Sequence, residues 1–266
     1  MVYQFVETDI GPFLGLAREE GWICGRWEFE FLLEQFPAGC YVRREAGNAL
    51  GYVTSVRYGD SGWIGNLLVL PEARRRGIGK ALMELAIEAL QENGTKTIWL
   101  TASEKGASIY KRLGFVTVDR VQRWVGSGRP GSAASAEAPD LDLVVEMDRE
   151  GWGDRRASLL RTTCGRGKVF SNSGGFVCCQ SWKSGMQLGP WGGVVGAEAE
   201  ELLDTALAGA GERVFLDVPA GNRLAGALLA QRGFEVCGDN LLMYRGIEPG
   251  YRPQHVFSLA SMGSMG

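Results

Sequence analysis

Apolar residues change their spacing several times along the chain, and each change marks an element. Residues 14–19 read as helical, and Phe29, Leu32, Leu33 and Phe36 recur at three- and four-residue spacing on a second helical face. From residue 40 the pattern turns extended. Residues 40–43, 49–58 and 63–70 read as three strands joined by a Gly-Asn turn and a Gly-Asp-Ser-Gly turn, which makes two antiparallel hairpins. After Pro71 the helical period returns, with Ile78, Leu82, Leu85, Ala86 and Ala89 on one face and Asn93-Gly94 as the stop. Residues 97–102 follow as a strand, 106–113 as a short helix and 114–121 as a further strand. A meander followed by strand–helix–strand alternation predicts an α+β fold, with a mixed, mostly antiparallel sheet flanked by helices.

Part of this order recurs. Residues 100–118 and 216–237 both run strand, small-residue loop, short helix, Gly-Phe, strand, and a helix and strand precede each in the same order. The match points to an internal duplication. Between the copies, GSGRPGSAASAEAPD lacks the apolar groups needed to offset ordering entropy. The chain is therefore expected to divide into residues 1–125, a linker over 126–139, and residues 140–266.

Composition narrows the chemistry. With 266 residues and 45% hydrophobic content the chain has enough material for a large core, or for two. A net charge of −3 gives no global field to recruit nucleic acid, so any anion site must be local. Six cysteines include no C-x-x-C pair, and His255 is the single histidine, so the spacing predicts no metal centre. The cysteines are expected to be mostly reduced, buried thiols. No run of about 18 apolar residues is present. The expectation is a cytoplasmic protein without membrane contact.

One stretch stands out, ARRRGIGKAL, at the start of the helix after Pro71. Gly77 and Gly79 leave backbone N–H groups uncovered where orphan donors and the helix dipole favour a negative group, and Arg74, Arg75, Arg76 and Lys80 add charge. A P-loop would need glycine where Arg74 stands and Ser or Thr where Ala81 stands. A dinucleotide fingerprint would need a small residue at Leu82. Both spacings fail, which leaves a solvated charge run or a different anion seat.

Context favours the seat. Arg74-x-x-Gly77-x-Gly79 resembles the [QR]-x-x-G-x-[GA] signature of the GNAT acetyltransferase superfamily, and Tyr110, four residues before Gly114-Phe115, resembles its second landmark. Glu20-Gly21-Trp22 and, in the second half, GGFVCCQ, LGPW, LDVPAGN, RGF and MYRG look like a subgroup whose C-terminal half is a degenerate second copy. The resemblance implies two tandem GNAT-like copies, forming a pseudo-dimeric monomer or a homodimer, with acetyl-coenzyme A as donor. It implies that the turn from Arg75 through Gly77, Ile78 and Gly79 to Lys80 holds the pyrophosphate. Main-chain groups of Leu68, Val69 and Leu70 would receive the pantetheine arm and the thioester carbonyl. Tyr110 would be the general acid for the departing thiolate. Ser103 stands where the family's usual pantetheine-binding asparagine would be, and Asn66 where many members place a carboxylate or water-holding group.

The resemblance leaves the base unassigned. Asn66 can orient a water but cannot take a proton. Glu20, Glu28, Glu30 and Asp60 are acids near the expected acceptor mouth, each otherwise a solvated surface group. Trp22 and Glu28 are candidate acceptor-binding residues. A covalent route through Cys24 or Cys40 would need a nearby base, and His255 lies far along the chain. Between Lys183 and Arg213 there is no basic residue, so no coenzyme A is expected in the second half. The segment 243–261 is expected to supply a final strand and a tail on the domain interface. Three functions are consistent with this reading: N-acetylation of a small-molecule primary amine by direct attack in a ternary complex, acetylation of protein lysines or N-termini, and a coenzyme A sensor without turnover.

Overall fold

The computed structural model describes residues 1–131, 139–193 and 196–266. Its first half runs β1 (Val2–Gln4), α1 (Glu7–Glu19), α2 (Arg26–Gln35), β2 (Tyr41–Glu45), β3 (Asn48–Arg57), β4 (Ser61–Val69), α3 (Ile78–Glu92), β5 (Thr97–Ala102), α4 (Glu104–Arg112) and β6 (Val116–Gly126). The second half runs α5 (Leu141–Trp152), α6 (Ala157–Arg166), β7 (Lys168–Asn172), β8 (Gly175–Trp182), β9 (Gly185–Gly193), α7 (Ala197–Leu207), β10 (Val214–Pro219), α8 (Arg223–Gln231), β11 (Glu235–Gly246) and β12 (Val256–Ser258). Apart from β1 and β12, the two halves match element for element, as the repeat suggested.

The first helix exceeds its expectation. It begins at Glu7 and runs through Pro12, because Ile10, Phe13 and Ala17 form a fully buried stripe against Phe5, Phe29 and Tyr52. Tertiary packing there outweighs the local cost of proline. The linker residues divide. Gly126 closes β6, Arg129 bridges to Ala208, and 132–138 lie outside the described residues.

The boundary expected near residue 126 does not divide the sheet. All described strands join one sheet in the order β1-β2-β3-β4-β5-β11-β6-β10-β9-β8-β7, with β12 on β9. Each half lends a strand to the other: β11 pairs with β5 antiparallel, and β6 pairs with β10 antiparallel. The two lent strands pair with each other at the centre. One aromatic cluster crosses the join, with Trp152 edge-on to Trp63 and Trp99, and Tyr251 against both Trp99 and Trp152. Large buried rings of this kind dominate core energetics, so neither half holds a complete core alone.

Candidate active site

β4 and β5 run parallel and pair only over Ser61↔Thr97, Gly62↔Ile98 and Trp63↔Trp99, after which they part. The parting begins where β4 bulges. Its register against β3 slips between Tyr52 and Thr54, and Asn66 takes a left-handed φ of 55°. Beyond the bulge, the alternation of an antiparallel pair sorts the main chain. Leu70 N–H donates to the Leu50 carbonyl at 3.0 Å, so the groups of Leu70 and Leu68 face β3, and those of Val69 face the gap. Of the three residues expected to present main-chain groups, Val69 alone does so. Leu68 still contributes to the wall.

The turn into α3 has the expected form. Arg75 (φ 64°) and Gly77 (φ 77°) are both left-handed, and no side chain caps the helix. The first N–H groups of α3 therefore have no side-chain acceptor among the described residues, and the residues that carry them line the groove. The cations are unequal. Arg74 Nε donates to the Val69 carbonyl at 3.0 Å, and its Nη2 holds Glu20 at 2.6 Å. Arg76 turns away to Glu45 at 2.7 Å and is absent from the groove wall. The expected place for Arg76 in the anion seat is thus corrected: its guanidinium fastens the turn to the end of β2. Arg75 and Lys80 line the groove, a cavity of about 1070 Å³ between β4, α3 and α4.

A second cavity, of about 410 Å³, shares Glu20, Trp22, Leu67, Ser103 and Gly106 with the groove. Tyr110 lines it, with its ring edge-on to Phe115 and its hydroxyl in no hydrogen bond to another described residue. Burial pushes the Tyr110 phenol up to about 12, so it holds its proton through the neutral range. Ser103 caps α4, its Oγ accepting from Gly106 N–H at 3.2 Å. Trp22 is 41% exposed and covers the mouth of both cavities. Glu20 is there too, held by Arg74, whereas Glu30 and Asp60 pair with Arg26 and Lys96 and line neither cavity.

The segment after β12 forms the inner wall of this cavity. Gly263 carbonyl accepts from Asn66 N–H at 3.2 Å, Met262 carbonyl from Thr101 Oγ1 at 2.5 Å, and Met265 carbonyl from Tyr58 Oη at 2.6 Å. Gly65 permits this approach, since a Cβ there would meet the carbonyl oxygens of Gly263 and Ser264. Asn66 is correspondingly committed: its Nδ2 donates to Thr54 Oγ1 at 2.9 Å, and its Oδ1 accepts from Ser264 Oγ at 3.2 Å. The expectation that Asn66 is available to hold a water is corrected, because its amide anchors the wall.

Glu28 departs furthest from expectation. It is not a solvated acid at the cavity mouth but a fully buried one behind the cavity wall. Gly25 N–H donates to its Oε2 at 2.7 Å and Ser261 Oγ to its Oε1 at 2.8 Å. Burial raises its carboxyl to about 7, against the lowering effect of bonds from Gly25, Ser261 and Ser264. Cys24, in the cavity wall, is pushed up to about 12 by burial and then by the charge of Glu28, so it offers no thiolate. Cys40 is buried and likewise raised to about 12, and His255 sits in the second half against the Gly193 carbonyl at 3.1 Å. Neither cysteine has a histidine partner.

The second half repeats the parting strands but not the gap. β9 and β10 pair over Val214↔Met186 and Phe215↔Gln187 and then separate. β12 pairs with β9, and Leu259 N–H donates to the Asp217 carbonyl at 2.9 Å, so chain fills the space. Phe257, fully buried and stacked on Trp191 at 4.7 Å, lies in that filling. Glu198 and Glu200 occupy the first turn of α7; residues 194 and 195 of the preceding turn lie outside the described residues.

Residues 9–115 match the acetyltransferase (GNAT) family model and residues 144–258 a second GNAT domain model. An uncharacterized N-acetyltransferase of Methanocaldococcus jannaschii is 33% identical over 114 residues, covering 38% of this chain and 49% of the relative. An N-alpha-acetyltransferase of Arabidopsis thaliana is 31% identical over 108 residues, covering 38% and 56%. The match thus spans about half the length of these relatives. A solved structure from Pyrococcus horikoshii, described as a candidate acetyltransferase, superposes with a TM-score of 0.85 over 100% of this chain and 95% of that one. At 22% identity the likeness is one of fold. No described helix is long and apolar enough to cross a membrane.

Proposed function

Since the chain belongs to the GNAT acetyltransferase family, we propose that it transfers an acetyl group from acetyl-coenzyme A to the primary amine of a small molecule, by direct attack in a ternary complex. The observation that carries this reading is the open β4–β5 gap, which ends at an uncapped helix start and has Tyr110 at its inner side. Bound acetyl-coenzyme A supplies an activated thioester. The chain's residues would do the rest. The N–H groups from Gly77 to Lys80, with Arg75 and Lys80, bind the pyrophosphate. Val69 main-chain groups orient the arm within the gap as fixed dipoles. Tyr110 Oη gives a proton to the leaving sulfur.

The acceptor cavity narrows the substrate. Glu20, the acid in its wall, is already paired with Arg74, and Arg123 brings a cation held by Asp217 at 2.8 Å. Such walls suit an amine whose remainder is neutral or anionic, such as an amino acid, and disfavour a polyamine. Release of free thiol from acetyl-coenzyme A across an amine panel tests the proposal. Turnover of one or more small amines supports it; binding of the cofactor with no thiol release makes the chain a sensor. A second reading, acetylation of protein N-termini, draws support from the Arabidopsis relative. Preference for peptides over every small amine in the same assay would favour it.

A further inference from the structure

Arg123 is the one Lys or Arg among the described residues that line the smaller cavity. It lies on β6 directly across from Asp217 of β10, so the two side chains share a face of the sheet. Arg123 Nε donates to Asp217 Oδ1 and Nη2 to Asp217 Oδ2, both at 2.8 Å, and the Asp217 carboxylate is fully buried. Phe215, two residues earlier on β10, lies under the guanidinium with its ring centroid at 5.4 Å. A guanidinium carries five N–H donors in a flat fork, and Asp217 takes two of them along one edge. The other edge, formed by Nη1 and the second Nη2 N–H, meets no acceptor among the described residues, and the side chain keeps 22% exposure. On the opposite flank Arg123 is in register with Gly238 of β11. A Cβ there would meet no atom within 4 Å, so β11 places no side chain across from the guanidinium. Asn240, two residues on, returns to the cavity wall, with Nδ2 on Met262 Sδ at 3.4 Å. Glu20, the acid in the wall, is paired with Arg74, so it does not compete for the open edge.

We propose that the open edge of Arg123 binds a carboxylate of the acceptor, so that the substrate is an amino acid or another small amine that carries a carboxylate. This rests on the proposed acetyltransferase reading. A planar carboxylate fits the Nη1/Nη2 edge with two parallel N–H···O bonds, a geometry that a lysine in the same place could not offer. Asp217 is the positioning residue. Its buried carboxylate holds the guanidinium in place before the substrate arrives, so little side-chain entropy is lost on binding. Tyr110 lines the same cavity, so an acceptor held at Arg123 can present its amine to the thioester from within it. The second half thereby gains a part in the reaction without binding the cofactor, because its strand β10 supplies the acid that aims the arginine.

The thiol-release assay tests this on the full chain with pairs of amines that differ only at the carboxylate: α-amino acids and ω-aminoalkanoates, each beside its own carboxamide. For the best pair, wild type should favour the acid over the amide in kcat/KM by about 10–100-fold, with most of the difference in KM. In Arg123→Gln that ratio should fall to unity. Arg123→Lys keeps the charge without the flat edge and should retain part of the ratio. Arg123→Gln leaves Asp217 buried without its partner, so where it does not fold the double variant Arg123→Gln, Asp217→Asn replaces it. A merely structural Arg123 would lower turnover of acid and amide alike and leave their ratio unchanged. An unchanged ratio in folded Arg123→Gln or in the double variant therefore overturns the inference. A wild-type ratio at or below unity for every pair overturns it without any variant. Wild-type chain that binds acetyl-coenzyme A and releases no thiol with any small amine overturns the proposed function, and the carboxylate subsite with it. Turnover of amines with no preference for the acid overturns the subsite alone.

Discussion

The two halves carry the same parted strands and use them in opposite ways. Between β4 and β5 the closing segment reaches only Asn66 and Thr101, and the groove beyond it leads from an uncapped helix start towards Tyr110. Between β9 and β10 the equivalent space holds β12, with Phe257 and Leu259 fully buried. The first half carries Arg75 and Lys80 at its turn, and the second carries Glu198 and Glu200 on its helix. Parting two strands is therefore a property of the shared fold. Whether the opening becomes a ligand groove depends on what the chain places in it. The segment that closes the second opening continues into the first half, where it walls the smaller cavity, so one stretch of about ten residues fills one opening and shapes the other.

The comparison can be broken from either side. Phe257→Ala should cost the most, about 3–5 kcal/mol of stability in chemical denaturation, since it empties the filled opening. Acetyl-coenzyme A affinity of the folded fraction should be unchanged. Gly79→Trp should act in the reverse sense. Any side chain there points at Val69, so the groove is blocked, and affinity measured by calorimetry should fall about 100-fold or more, roughly 3 kcal/mol, while the melting temperature hardly moves. Tyr110→Phe should leave affinity intact and lower kcat about 10–100-fold in the thiol-release assay.

Glu28 sharpens the comparison through pH. Its folded value of about 7 lies above the ordinary carboxyl value of 4.5. The folded chain then binds more protons than the unfolded one between those values, so the contribution to stability is full below pH 4.5 and is lost as pH rises through 7. Glu28→Gln removes that dependence. Its stability relative to wild type should rise from acid to alkaline conditions by about 2–3 kcal/mol, because each pH unit between the two values is worth about 1.4 kcal/mol. Thermal melts at pH 5 and pH 8 check it; a constant difference would contradict the assigned burial effect. The smallest change is expected for Arg75→Ala, about 0.5–1 kcal/mol in cofactor affinity at low salt and less at high salt, because the backbone donors remain.

How much of this was legible in the chain differs by feature. Gly77 and Gly79 announced the helix start because their meaning is local: no side chain covers the amides, and Gly77 adopts a φ few other residues tolerate. The strand 97–102 was readable for the same reason, as a short apolar run between turn signals. Features set by distant partners were not. Glu28 looks like any helix-surface acid between Trp27 and Phe29, and only the arrival of Ser261 and Ser264 from the other end of the chain buries it. The exchange of β6 and β11 is equally silent, since either strand could pair within its own half without a change in pattern. Arg74, Arg75 and Arg76 read as one cationic patch, yet two of them are engaged by Glu20 and Glu45, which lie far away in sequence. The closing segment carried one legible signal that went unread. Its run of small residues, Ala260 to Gly266 interrupted by methionines, suits a turn that passes closely along Gly65.

The central claim is that one opening binds and the other is closed by the chain itself. Titration of acetyl-coenzyme A into the full chain by calorimetry tests it most directly, with Gly79→Trp as the second sample. The account predicts one mole bound per mole of wild-type chain and no measurable heat of specific binding for Gly79→Trp. Two moles bound per chain, or one mole retained in Gly79→Trp, would contradict it.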